Sequence, residues 1–71
     1  MKEIKIETDY IKLDQFLKFA GACQTGGEAK WMVEEGLVLL NGEQVMQRGK
    51  KCYPGDEIEL LSDPPFKGKI I

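Results

Sequence analysis

Histidine is absent from this chain of 71 residues. That removes the commonest general base and the commonest metal ligand together. Cysteine is nearly absent: Cys23 and Cys52 stand far apart, in no CxxC or other ligand spacing, and no acidic loop has the pattern of a calcium site. Serine and threonine are scarce as well. Thr8, Thr25 and Ser62 are the only three, none beside an evident base, so no nucleophile–base pair can be drawn. There is no Walker loop, and Gly26-Gly27 is not a dinucleotide fingerprint. No apolar run approaches the ~20 residues of a membrane helix. Met1-Lys2-Glu3-Ile4 mixes charged and apolar residues, unlike an export leader. These absences predict a single small domain that is no enzyme, holds no metal or cofactor and does not enter a membrane. Its expected place is the cytoplasm, with both thiols reduced.

Charge is present without a strong bias, the formal net value being −2. A global basic field for nucleic acid is therefore missing, but the distribution is uneven. Residues 1–11 carry one net negative charge and residues 52–71 carry two. Residues 12–51 are net positive by one, with Lys12, Lys18, Lys30, Arg48, Lys50 and Lys51 set against five acids. The cations are thus concentrated in the middle of the chain.

The best-marked element runs from Thr25 to Gly36. Thr25 fits the N-cap of a helix and Glu28, three residues on, fits the return arm of a capping box to the Thr25 amide. Gly36 fits the left-handed position after the last turn. Ala29, Met32 and Val33 make one apolar face. Gly26 and Gly27 weaken the first turn by roughly 1 kcal/mol each relative to Ala. They also leave its amides unshielded at the positive end of the helix dipole, an arrangement that suits an anion, with Lys30 one turn further on. A plain flexible helix start accounts for the glycines equally well. Cys23 precedes this helix; it is read as a small buried residue, the alternative being a thiol activated by the helix end. Glu34-Glu35 at the far end reads as a solvated face.

Ahead of this helix, Ile4 and Ile6 alternate with charges and read as a strand. Thr8-Asp9-Tyr10 reads as a turn or helix lead-in. Leu13, Phe16, Leu17 and Ala20 form the apolar face of a two-turn helix ended by Gly21, leaving Lys12, Gln15 and Lys18 in water. Beyond Gly36, Asn41-Gly42 between Leu37–Leu40 and Glu43–Met46 is a hairpin signal. Gln47–Lys51 is a basic loop. Pro54-Gly55-Asp56 is a turn, and Glu57–Leu60 alternates as a strand. Phe66–Ile71 is expected to close the sheet as an edge strand beside residues 2–7. The order predicts an α+β fold, two short helices packed on a small, mostly antiparallel sheet. Trp31 lies next to the apolar face and reads as core or core-edge. Trp31 and Tyr53 are also the aromatics suited to stacking on unpaired bases.

Ile11-Lys12-Leu13-Asp14-Gln15-Phe16-Leu17-Lys18, the helix from Thr25, Gly36–Gly42 and Pro54–Ile58 together resemble the S4 RNA-binding domain. The likeness spans residues 11–60 and rests on the ordered set L-D-x-x-L, A-K, G-x-V, N-G and G-D. The N-terminal strand and the T-G-G-x-A-K-W segment resemble the small stand-alone bacterial members, the YaaA/YbcJ type. The resemblance implies a monomeric binder of structured RNA, above all ribosomal RNA or a ribosomal particle, with a role in ribosome assembly. It implies that the two helices and the hairpin after them form the RNA surface. By position, the family's Arg before Leu-Asp is Lys12, its Ser-Arg is Thr25-Gly26 and its Ala-Lys is Ala29-Lys30. The two missing arginines remove forked phosphate donors. The residues expected to meet RNA are Lys12, Gln15, Lys18, Thr25, Gly26, Gly27, Lys30, Arg48, Lys50 and Lys51.

Two other readings compete. A protein-interaction module would use Trp31, Tyr53 and Phe66 as anchors and bind with little dependence on salt. Asn41-Gly42-Glu43 and Gly55-Asp56-Glu57-Ile58 are also similar to part of a β-grasp carrier, but such carriers end in Gly-Gly and this sequence ends Lys69-Ile70-Ile71.

Overall fold

The computed structural model describes residues 1–71. In chain order the elements are β1 (Lys2–Ile4), β2 (Ile11–Lys12), α1 (Leu13–Phe19), α2 (Gly26–Glu34), β3 (Val38–Leu40), β4 (Glu43–Gln44), β5 (Lys51–Cys52), β6 (Glu57–Leu60) and β7 (Phe66–Ile70). Five strands form one sheet in the order β1-β7-β6-β3-β4, and β2 pairs with β5 in a separate ribbon. Every pairing is antiparallel except β1 with β7. The α+β architecture is the predicted one, with both helices packed on a mostly antiparallel sheet.

The periodic segments fold as their patterns require. Leu13, Phe16, Leu17 and Ala20 on the first helix, and Ala29 and Val33 on the second, are buried against Ile4, Val38, Ile58, Leu60 and Ile70 of the sheet. Each fully buried Leu, Ile or Phe among them contributes roughly 1.5–3 kcal/mol of transfer free energy. Asn41 and Gly42 have φ of 51° and 85°, the signs a type I′ hairpin demands, and Leu40 pairs with Glu43 across the turn. The Asn41 side chain then leaves its own hairpin. Its Nδ2 donates to Asp56 Oδ1 at 3.0 Å and its Oδ1 accepts from the Glu57 amide at 2.9 Å. Asp56 Oδ2 accepts from the Tyr53 amide at 2.8 Å. The Asn-Gly turn and the Pro-Gly-Asp turn are thereby latched to each other.

Three details differ from the sequence reading. β7 is an inner strand, flanked by β1 and β6, and the edge beside it is β1. β1 ends at Ile4, so Ile6 is only half-buried against the core. Residues 11–12 and 51–52 form a ribbon that no period in so short a segment announces, so Lys51 sits on a strand, not in the basic loop.

β7 carries a glycine for a packing reason. A Cβ on Gly68 would lie 3.0 and 3.1 Å from the Phe66 ring and 3.3 Å from Phe16 Cζ. Those two rings pack edge to face at 6.4 Å directly over it. Gly68→Ala is expected to destabilise the fold by about 1–3 kcal/mol through overpacking, read as a lower urea midpoint. Adding Phe66→Leu, which removes the ring atoms in the way, should recover part of that loss.

Candidate nucleic-acid interface

The start of α1 organises the surface. Its N-cap is Lys12, which offers no side-chain acceptor, so the first amides need partners from elsewhere. The basic loop supplies them: Leu13 N–H donates to the Lys50 carbonyl at 2.9 Å and Asp14 N–H to the Arg48 carbonyl at 3.0 Å. The ribbon adds the next tie, placing Lys12 opposite Lys51. Arg48, Lys50 and Lys51, remote in sequence, are therefore held at the same end of α1 as Lys12.

From that end the stripe continues along the helix. Lys12, Gln15 and Lys18 are spaced by three, so they climb one slanted ridge with a rise of roughly 4.5 Å per step. Lys18 reaches α2: a Cβ on Gly26 would lie 4.0 Å from Lys18 Cδ. Lys30 stands four residues after Gly26, on the same face of α2. All ten residues expected to meet RNA are exposed. Backbone bonds and strand pairing tie the loop to the start of α1, and Lys18 borders the start of α2.

The start of α2 is built as its sequence predicts, with one change. Thr25 Oγ1 accepts from the Glu28 amide at 3.1 Å. The Glu28 carboxylate reaches back to the Gln24 amide at 2.9 Å, one residue further than a standard capping box. The Gly26 and Gly27 amides, which precede the first intrahelical donor, have no acceptor within the chain. Asp14, the acid on α1, is turned to the Gln15 amide at 2.8 Å.

Trp31 corrects its expected placement: it is 56% exposed. Its position is one step around the helix from Met32, outside the arc that Ala29 and Val33 bury. Tyr53 is exposed as well, whereas Phe66 is half-buried against Phe16 and is not free to anchor a partner. Tyr10 was not among the expected site residues. Its ring lies 6.0 Å from that of Tyr53, with Lys51 Nζ 4.7 Å from its centroid. The available signal was a mirror pattern, Tyr10-Ile11-Lys12 against Lys51-Cys52-Tyr53, which is what an antiparallel pair of short strands produces.

Both cysteines are free and buried. Burial pushes the Cys23 thiol up, the Glu28 carboxylate adds to the effect, and Lys18 opposes it. Its burial matches the reading of Cys23 as a small buried residue, not that of a thiol activated by the α2 start. Burial, followed by Asp56, raises Cys52 from 9.0 to about 11.

The sequence profile of the S4 domain matches residues 4–67. The chain belongs to the S4 domain family. It is 49% identical over 57 residues to a probable ribosome maturation protein RlbA of Bacillus subtilis, covering 80% of each chain. It is 35% identical over 63 residues to an uncharacterized RNA pseudouridine synthase of Aquifex aeolicus, covering 89% of this chain and 20% of the other. In this S4 domain the N-G and G-D pairs that suggested the family are the two turns latched through Asn41 and Asp56. The β-grasp reading gives way to this assignment.

The raised Cys52 value has a consequence for pH. A thiol held neutral in the folded protein but free to ionise near 9.0 when unfolded stabilises the fold below pH 9. That contribution declines as pH rises from 9 towards 11. Iodoacetamide labelling followed by mass spectrometry is expected to leave Cys52 unmodified at pH 8 in the folded protein and to modify it rapidly in urea.

Proposed function

We propose that this chain is a non-enzymatic RNA-binding protein that recognises structured RNA, with ribosomal RNA as the target class. In this proposal it acts as a monomer in the bacterial cytoplasm during ribosome assembly. The observation that carries the reading is the gathering of six exposed cations along α1 and at the start of α2 in a molecule whose net charge is −2. Two unpartnered amides at Gly26 and Gly27 extend the same surface with donors suited to a phosphate. Membership of the S4 domain family supports the reading, as does a relative named for ribosome maturation. The second relative, named as an RNA-modifying enzyme, shares only a fifth of its length with this chain. That fits an RNA-docking module common to the two chains. No helix is long and apolar enough to cross a membrane.

Lysines at positions 12 and 30 bind phosphate as point charges, and Gly26 offers only backbone, so electrostatics should dominate the affinity. With about 4–5 phosphates neutralised, the logarithm of affinity should fall with the logarithm of salt at a slope of about −3 to −4. Lys12→Glu with Lys30→Glu is expected to leave the fold intact, weaken binding to a ribosomal RNA fragment strongly and reduce the slope magnitude by roughly 1.4. Unchanged affinity in the folded double variant would remove this surface from the proposal. A salt-independent affinity would favour docking to a protein instead.

Gly27→Asp separates stability from binding. A Cβ at position 27 meets nothing closer than Thr25 Oγ1 at 4.0 Å, and an acid in the first turn suits the helix dipole. The expected outcome is an unchanged or raised Tm together with binding weakened by about tenfold or more, because a carboxylate then faces the phosphate. An equal Kd would assign the glycines to structure alone.

A further inference from the structure

The two-stranded ribbon has two unlike faces. Ile11 and Cys52, paired across it, turn towards the core, where Cys52 is fully buried. Strand alternation sends the flanking positions to the other side. There Lys12 stands opposite Lys51, and the same register places Tyr10 opposite Tyr53. The outward face of this minimal sheet therefore consists of two aromatic and two cationic side chains.

That composition is costly unless something covers it. Like charges directly opposite on an antiparallel pair repel. The tyrosines are 37% and 49% exposed, although a Tyr ring is a large apolar surface. Their rings are tilted by 50° at 6.0 Å, and Lys51 Nζ lies against Tyr10. Asp56, which contacts Tyr53, is turned to the Tyr53 amide and to Asn41. The face thus offers aromatic planes beside two ammonium groups, that of Lys51 resting on the Tyr10 ring and that of Lys12 exposed without an acid partner. An unpaired nucleotide matches it, with a base to stack and a phosphate to meet the lysines.

We propose that the outward face of the β2–β5 ribbon is a stacking subsite for unpaired nucleotides, with Tyr10 and Tyr53 taking bases and Lys12 and Lys51 the adjoining phosphates. The proposal rests on the RNA-binding reading above and adds a preference to it: RNA with a single-stranded segment beside a helix is chosen over a blunt duplex. The paired stem lies along α1 and α2, and the unpaired strand runs over the ribbon.

The test compares two probes, a blunt RNA hairpin and the same hairpin with a short adenine overhang. The wild-type protein is expected to bind the overhang hairpin more tightly. Tyr10→Ala with Tyr53→Ala should abolish that preference, a loss of about tenfold or more, while keeping the affinity and salt slope for the blunt hairpin. Tyr10→Phe with Tyr53→Phe should retain the preference, because the stacking planes remain. In the unmodified protein, the Tyr10 and Tyr53 ring proton resonances should shift upfield with the overhang hairpin and not with the blunt one. Retention of the preference in the alanine variant, or ring resonances indifferent to the overhang, overturns the subsite and leaves the wider RNA-binding reading standing. Failure of the folded wild-type protein to bind either hairpin overturns both.

Discussion

Two hydrogen bonds hold the charged surface together, from the amides of Leu13 and Asp14 to the carbonyls of Lys50 and Arg48. A helix that begins on a lysine has no side-chain oxygen to satisfy its first donors. The protein resolves this by folding a distant basic loop back onto the helix start. Capping and charge assembly are therefore one event. The backbone of residues 48–50 completes α1, and the same bonds bring the exposed residues Arg48 and Lys50 to the helix end that Lys12 caps. The β2–β5 pairing continues the closure by one further step.

The rest of the architecture keeps that closure in place. The loop between β4 and β5 can return to α1 only if both of its ends are fixed. One end is the hairpin, with positive φ at Asn41 and Gly42. The other is the turn at Pro54–Asp56, and Asn41 ties the two through Asp56 and Glu57. Beneath them the close approach of Phe16 and Phe66 over Gly68 seats α1 on β7. These side chains stand apart from the exposed cations, yet they decide where those cations are held.

Much of this was legible in the sequence wherever a period or a turn residue carried the information. The faces of both helices, the Asn-Gly hairpin and the alternation of Ile58 and Leu60 all appear as their spacing predicts. Other features were less legible. β7 was expected at an edge, because nothing in Phe66–Ile70 indicates how many neighbours it has. Trp31 was expected near the core, because its arc on the helix borders the buried one. The second helix buries only the arc of Ala29 and Val33, and the position of Trp31 falls outside it. The ten candidate residues could be named one at a time from charge and resemblance, but their contiguity could not. It depends on long-range bonds between carbonyls and amides, which carry no residue-type signature.

The sequence by itself determined the elements, the S4 resemblance and the residue types available for phosphate. Hydrophobic period, capping residues and turn glycines act locally and are written in neighbouring positions. Only the tertiary structure decided that residues 48–51 meet the start of α1 beside Lys12, that Lys18 borders the start of α2, and that Tyr10 faces Tyr53. Those relations arise from loop closure and strand register over long separations, where backbone groups common to every residue make the contacts.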